Sequence, residues 1–207
     1  AIKENDKVIG LKVSIKTAEQ IRKYSAGAQR NNAVYNFQDI IAVSSGMKLV
    51  KSEARTAAAS PANVLITGES GTGKELFAQA IHNASPRFAG PFVPISCGGF
   101  SRETVDSILI GTEKNPGKFI QADGGTLFLD GISEMSQDMQ SFLLRFLEDG
   151  IVTPIGSRRS VQTDVRVISA AGSEVLQKVK DGSFRLDLYY RLNVLRIDLP
   201  PLRERQA

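Results

Sequence analysis

The sequence is poor in residues that build covalent or metal-held frameworks. It has one cysteine, Cys97, and one histidine, His82. A single thiol excludes an internal disulfide network and suits a reducing compartment. No His/Cys cluster has the spacing of a zinc site, so Cys97 is expected as a small core residue and His82 as a helix-end or core histidine. No apolar run reaches the ~20 residues that a membrane-spanning helix needs. The polar opening, Ala1 to Lys7, is unlike a secretory signal. There is no internal repeat and no low-complexity tract. No stripe of Lys and Arg marks a nucleic-acid groove, and 26 basic against 22 acidic residues leave a net charge of only +4. These absences predict a cytoplasmic globular domain without membrane contact.

What is present is enough apolar material, 42% of 207 residues, for one sizeable core and an appendage. The chain opens on Ala1 rather than methionine and stops just past a strand-like segment, so an excised piece of a longer protein is expected. Residues 1–36 read differently from the rest. Leu11, Val13 and Ile15 alternate with polar residues like a short strand, a polar helical stretch follows from about Thr17 to Ala26, and Asn31-Asn32 breaks the pattern. From Phe37 onward strand and helix signals alternate. Helices are predicted over about 47–58, 74–83, 101–108 (capped by Ser101) and 136–148, the last on the helical spacing of Met139, Phe142, Leu143, Phe146 and Leu147. Val64-Leu65-Ile66, Phe92 to Ile95, Thr126 to Asp130, Val165 to Ile168 and Asn193 to Asp198 read as strands. Pro94 either weakens its strand or places it near an edge, and Gly156 to Ser160 reads as a hairpin turn. The alternation implies an α/β fold, a parallel sheet flanked by helices on both faces.

Gly68-Glu69-Ser70-Gly71-Thr72-Gly73-Lys74-Glu75 follows the apolar strand directly and opens a helix. It matches a phosphate-binding loop at every fixed position except the last, where Glu75 replaces Ser or Thr. Glycines let successive amides turn inward toward phosphate oxygens, the helix N-terminus adds its positive end, and Lys74 supplies a point charge at the β- and γ-phosphates. A purine nucleoside triphosphate, ATP by preference, is the expected ligand. Asp130, an acid ending an apolar strand, is placed to hold the accompanying Mg²⁺.

These segments, with Gly124 to Asp130, Leu143 to Leu147, Phe184-Arg185 through Asp187 to Val194, and Pro200 to Arg205, resemble the AAA+ central domain of sigma-54-dependent bacterial transcription activators. The likeness runs from about Phe37 to Arg205. The family also carries a Glu at the position of Glu75. The resemblance implies a P-loop NTPase fold whose helical lid is truncated here, with residues 37–207 as the nucleotide-binding subdomain. Residues 1–36, including Gly27-Ala28-Gln29, resemble the end of a PAS-like sensory domain and its linker. It further implies a homo-oligomer, a hexameric ring in the full-length protein, with Arg185 and Arg191 reaching a neighbour's site as catalytic arginines. Ile40 and Ile41 would line the adenine pocket. ATP hydrolysis would remodel the sigma-54 RNA polymerase holoenzyme, and DNA would be reached only through a C-terminal domain beyond Arg205.

The sequence departs from that family where hydrolysis and partner contact occur. The Glu expected after Asp130 is Gly131, which has no side chain to orient water. The switch Asn is Ser96 and the sensor Asn is Gly172. The loop that touches sigma-54 should follow Gly111 to Lys114, but the chain goes straight to Asn115-Pro116-Gly117-Lys118-Phe119. Binding groups are retained and hydrolytic groups are not. The implied protein is an ATP-binding, apparently degenerate member with impaired hydrolysis and sigma-54 contact. The alternative is a non-hydrolysing, nucleotide-responsive oligomerisation or interaction module. A small-molecule P-loop kinase is a third reading, disfavoured by Glu75.

Overall fold

The computed structural model describes residues 2–4, 7–10, 32–98 and 105–205, with side chains over 32–98 and 108–205. The predicted strand at 11–15, the polar helix at 17–26, Gly27 to Gln29 and the Ser101 cap lie outside the described residues. Strands β1 (Ile2–Glu4) and β2 (Lys7–Gly10) form an antiparallel pair.

The rest is built on five parallel strands: β3 (Val64–Thr67), β4 (Phe92–Ser96), β5 (Thr126–Asp130), β8 (Arg166–Ala171) and β9 (Leu195–Asp198). Their order across the sheet is β4-β5-β8-β3-β9. β3 is buried along its whole length because it is sandwiched between neighbours and covered on both faces. Pro94, which has no N–H to give a ladder, sits on β4 at the sheet edge.

Alternate residues of each strand feed opposite cores. Val64, Ile66, Phe128 and Ile168 pack with α1 (Ser45–Ala59) and α2 (Lys74–Asn83). Leu65, Leu127, Leu129 and Val167 pack on the other face with α3 (Lys118–Gln121), α4 (Gln137–Asp149), α5 (Val175–Lys180) and α6 (Leu186–Leu192). α4 begins where the Ser136 hydroxyl accepts the Met139 amide at 3.3 Å and ends at Gly150 with φ 66°. Short strands β6 (Ile151–Val152) and β7 (Val161–Gln162) pair antiparallel around the predicted turn. The segment expected as an α-helix to residue 108 contains instead a π-helix, Val105–Ile110. The last sheet strand starts at Leu195, two residues later than its apolar pattern suggests, because α6 runs to Leu192.

Two buried polar groups hold the N-terminal ends of the inner strands. Arg166 is 2% exposed, and its guanidinium donates to the carbonyls of Ala57, Ala58 and Ala62 at 2.7, 3.3 and 3.1 Å. It thereby satisfies the free carbonyls at the end of α1. Burial, and then the nearby Arg87, lower its pKa to about 10. His82 is fully buried on α2, with Nδ1 2.8 Å from the Thr126 hydroxyl. Burial, reinforced by Arg166, lowers its pKa to about 4.

Between pH 6.5 and 4 the unfolded chain therefore binds a proton that the folded imidazole refuses, and stability falls as pH drops through that window. The expected loss is up to about 3 kcal/mol, for a shift from 6.5 to about 4. Urea denaturation at pH 7 and pH 4.5 measures it. An imidazole that titrates in the folded protein near 6.5 contradicts it.

Candidate nucleotide site

The strand register brings the candidate residues to one rim. At the C-terminal ends of the strands Ser96 pairs with Asp130, Asp130 with Ala170, Ala171 with Thr67, and Thr67 with Asp198. The loop Gly68–Gly73 leaves β3 in the middle of this row and enters α2. Gly73 takes φ 92° as the N-cap, a left-handed conformation open to glycine and costly for a β-branched residue. Thr72 is buried, and its hydroxyl donates back to the Glu69 carbonyl at 2.7 Å, which curls the loop. The Lys74 ammonium crosses beneath, donating to the Gly68 and Glu69 carbonyls at 2.8 and 2.9 Å.

A cleft of about 560 Å³ opens over this loop. Lys74, Glu75, Ser96, Asp130, Gly131 and Gly172 are among its lining residues. The loop, the cation and the exposed end of β5 thus line one space, and glycine backbone, an ammonium and a carboxylate together suit a polyphosphate with its cation. Asp130 is the carboxylate that could hold a divalent cation there. Among the described residues no set of three or more His, Cys, Asp or Glu is arranged to cage an ion, so a cation at Asp130 would complete its shell with phosphate oxygens and water. A larger cleft, about 720 Å³, lies at the N-terminal ends of the strands by Arg87, Asp164 and Arg166. Arg87 is bound to Asp164 at 2.5 Å and Arg166 to three carbonyls, so its charged groups are already occupied.

Glu75 does not stand alone. Its carboxylate accepts the Gln79 amide at 3.0 Å, and the Gln79 carbonyl accepts the backbone amides of Val34 and Tyr35 at 2.8 and 3.2 Å. Residues 34 and 35 are therefore pinned to the start of α2 through one glutamine.

The other predicted residues lie elsewhere. Ile40 is buried in the core against α1, whereas Ile41 is 84% exposed, and neither lines the cleft. Arg185, at the start of α6, pairs with Asp187 at 2.7 Å, and Arg191 pairs with Glu148 at 3.5 Å. Both are off the cleft of their own chain. Where the sigma-54 loop is expected, residues 112–115 form a tight reversal, closed by the Thr112 amide on the Asn115 carbonyl at 2.9 Å and by a Gly111–Pro116 bridge.

Sequence reasoning missed several groups around the loop. Arg203 pairs with Glu69 at 2.9 Å and holds its carboxyl below the usual range. Arg205 donates to the Thr72 carbonyl at 2.8 Å. The segment after β9 thus straps the loop, a role no local pattern announces. Glu134 and Glu174 also line the cleft. The Ser133 hydroxyl, first, and then the nearby backbone, Lys178 and Lys74 hold the Glu174 carboxyl below its ordinary range.

A glycine-rich loop after an interior strand of a parallel sheet, with an acid at the end of β5 on the same rim, is the arrangement of a P-loop NTPase fold, and the structural neighbours below place it in the AAA+ class. The chain belongs to the Sigma-54 interaction domain family, which matches residues 40–198. It is 43% identical over 99% of its length to a signal-transduction and transcriptional-control protein of Clostridium beijerinckii. It is 45% identical over 95% of its length to the HTH-type transcriptional regulatory protein TyrR of Salmonella typhimurium. It spans only 34% and 38% of those relatives.

Among solved structures, NtrX from Brucella abortus in complex with ATP superposes with a TM-score of 0.77 at 32% identity, over 91% of this chain and 43% of that one. The P-loop NTPase domain of a sigma-54 activator from E. coli, with a TM-score of 0.56 at 17% identity, covers 78% of this chain and 99% of its own and shows the shared fold. No helix among the described residues is long and apolar enough to cross a membrane.

Proposed function

We propose that this domain binds Mg-ATP at the Gly68–Glu75 loop as part of a sigma-54-activator-type transcription regulator, and that it uses occupancy of the site more than turnover. One observation carries the reading: Lys74 and Asp130 face the same cleft, while the residue beside Asp130 is a glycine at φ 71°. The groups that hold a triphosphate are present. The carboxylate that would activate water at residue 131 is absent, so hydrolysis is impaired. The tight 112–115 reversal supports an impaired sigma-54 contact in the same way, because it offers no extended tip.

Residues 37–207 are then the nucleotide-binding subdomain and residues 1–36 the end of an upstream sensory domain with its linker. The Val34–Gln79–Glu75 connection supplies a physical route between the two. Arg185 and Arg191, half-exposed and off their own cleft, suit contact with a neighbouring subunit's phosphates in a cytoplasmic ring. ATP in complex with NtrX supports the choice of nucleotide. The tight reversal and Gly131 together also favour the second reading, a module that only assembles in response to nucleotide.

Sedimentation with ATP, ADP or no nucleotide tests the proposal. Self-association is expected with ATP and to be lost in Arg185→Ala and Arg191→Ala. Identical sedimentation in all three conditions counts against it.

A further inference from the structure

Position 172 is a glycine, and its neighbour two residues on uses the space. A β-carbon built on Gly172 would stand 2.0 Å from Oε2 of Glu174 and 2.6 Å from its carboxyl carbon. The head of Glu174 therefore occupies the volume of residue 172's own side chain, at the end of β8 where the cleft opens. It is held there. Oε1 accepts the hydroxyl of Ser133 at 2.7 Å, and Ser133, 6% exposed, lies two residues after Gly131. Lys178 fixes that turn by donating to the Ser133 carbonyl at 2.7 Å. A carboxylate is thus tethered to the turn that follows Gly131, on the same cleft as Lys74, Asp130 and Glu134. The cations that act on it include Lys74 itself, which places it within electrostatic reach of the phosphate-binding ammonium and keeps it ionised at neutral pH.

We propose that Glu174 orients the attacking water for the slow hydrolysis this domain retains, in place of a side chain at residue 131. The inference rests on the reading of this cleft as an ATP site. Water hydrogen-bonded to Oε2 attacks the γ-phosphorus, forming a new P–O bond. The bond from that phosphorus to the β–γ bridging oxygen breaks, and its electron pair leaves with ADP. The water's proton passes to the carboxylate and then to the released phosphate. Ser133 is a positioning residue, because it engages the other oxygen and aims this one. The same carboxylate sets a negative charge opposite the γ-phosphate, which penalises ATP relative to ADP.

Three substitutions in the intact chain test this, with ATP and ADP affinities measured by calorimetry beside phosphate release. Glu174→Gln is expected to lower turnover about 10²-fold, the scale of a lost acid–base group. It should also tighten ATP, but not ADP, by about fivefold, the scale of one like-charge contact near water. A purely structural loss would not produce that selective gain. Gly172→Ala keeps the glutamate but drives its head out of place, and the same fall in turnover is expected with an unchanged melting temperature. Turnover within twofold of the parent in Glu174→Gln overturns the assignment, as does an unchanged ATP-to-ADP ratio. A loss confined to Glu134→Gln also overturns it, by moving the role to that residue. A parent chain that binds ATP without any turnover overturns this inference alone, whereas a parent that binds no ATP overturns the reading of the site beneath it.

Discussion

Lys74→Ala is expected to weaken ATP binding on the order of 10²-fold, the scale of one or two lost charge-assisted hydrogen bonds to phosphate. Lys74 is the cation at the base of the loop, and its ammonium already lies against the Gly68 and Glu69 carbonyls that frame it. A phosphate entering the loop exchanges those neutral acceptors for charged oxygens, and alanine removes that gain. The fold should be unaffected, because the side chain packs no core. Titration calorimetry with ATP on both proteins measures the difference, and equal affinities would place the phosphates somewhere other than this loop.

Turnover by the parent chain is the second large effect. Steady-state phosphate release is expected on the order of 10² to 10⁴ below that of a sigma-54 interaction domain with a glutamate after its β5 aspartate, the usual worth of a positioned acid–base group. Gly131→Glu is expected to recover less than tenfold of it. Residue 131 adopts φ 71°, and a β-carbon there would stand 3.9 Å from the Glu134 carboxyl carbon. A glutamate would have to tolerate a left-handed backbone and approach an existing carboxylate. The neighbouring positions 96 and 172 would still lack their asparagines. A parent rate equal to that of such a relative contradicts the reading of Gly131, and full recovery in Gly131→Glu would show that one missing side chain was the whole defect.

Much of this was legible along the chain because its signals are local. An apolar run without alternation, Val64 to Ile66, followed by a glycine-rich turn, is the pattern of a strand covered on both faces. A lysine after spaced glycines at the end of such a strand fixes a loop entering a helix. Pro94 left a choice between a weakened strand and an edge strand, because a proline cannot serve two ladders, and β4 lies at the edge. The helical period of Met139 to Leu147 named both an element and its buried face. The missing carboxylate after Asp130 is likewise the consequence of a single residue, whereas the left-handed backbone at Gly73 and Gly131 was visible only in the structure.

The sequence by itself therefore indicated the five strands of the parallel sheet, the helices over about 47–58, 74–83 and 136–148, the glycine-rich loop that ends in Lys74 and the absence of a side chain beside Asp130. Only the tertiary structure decided that β8 lies between β3 and β5, because strand order is a matter of pairing between segments distant in the chain. That order sets Gly172 and Glu174 on the cleft beside the Gly68–Gly73 loop and brings Arg203 and Arg205 back over Glu69 and Thr72. No local pattern encodes those contacts. A side chain's chemistry is written at its own position, whereas the space into which it folds belongs to its neighbours across the sheet.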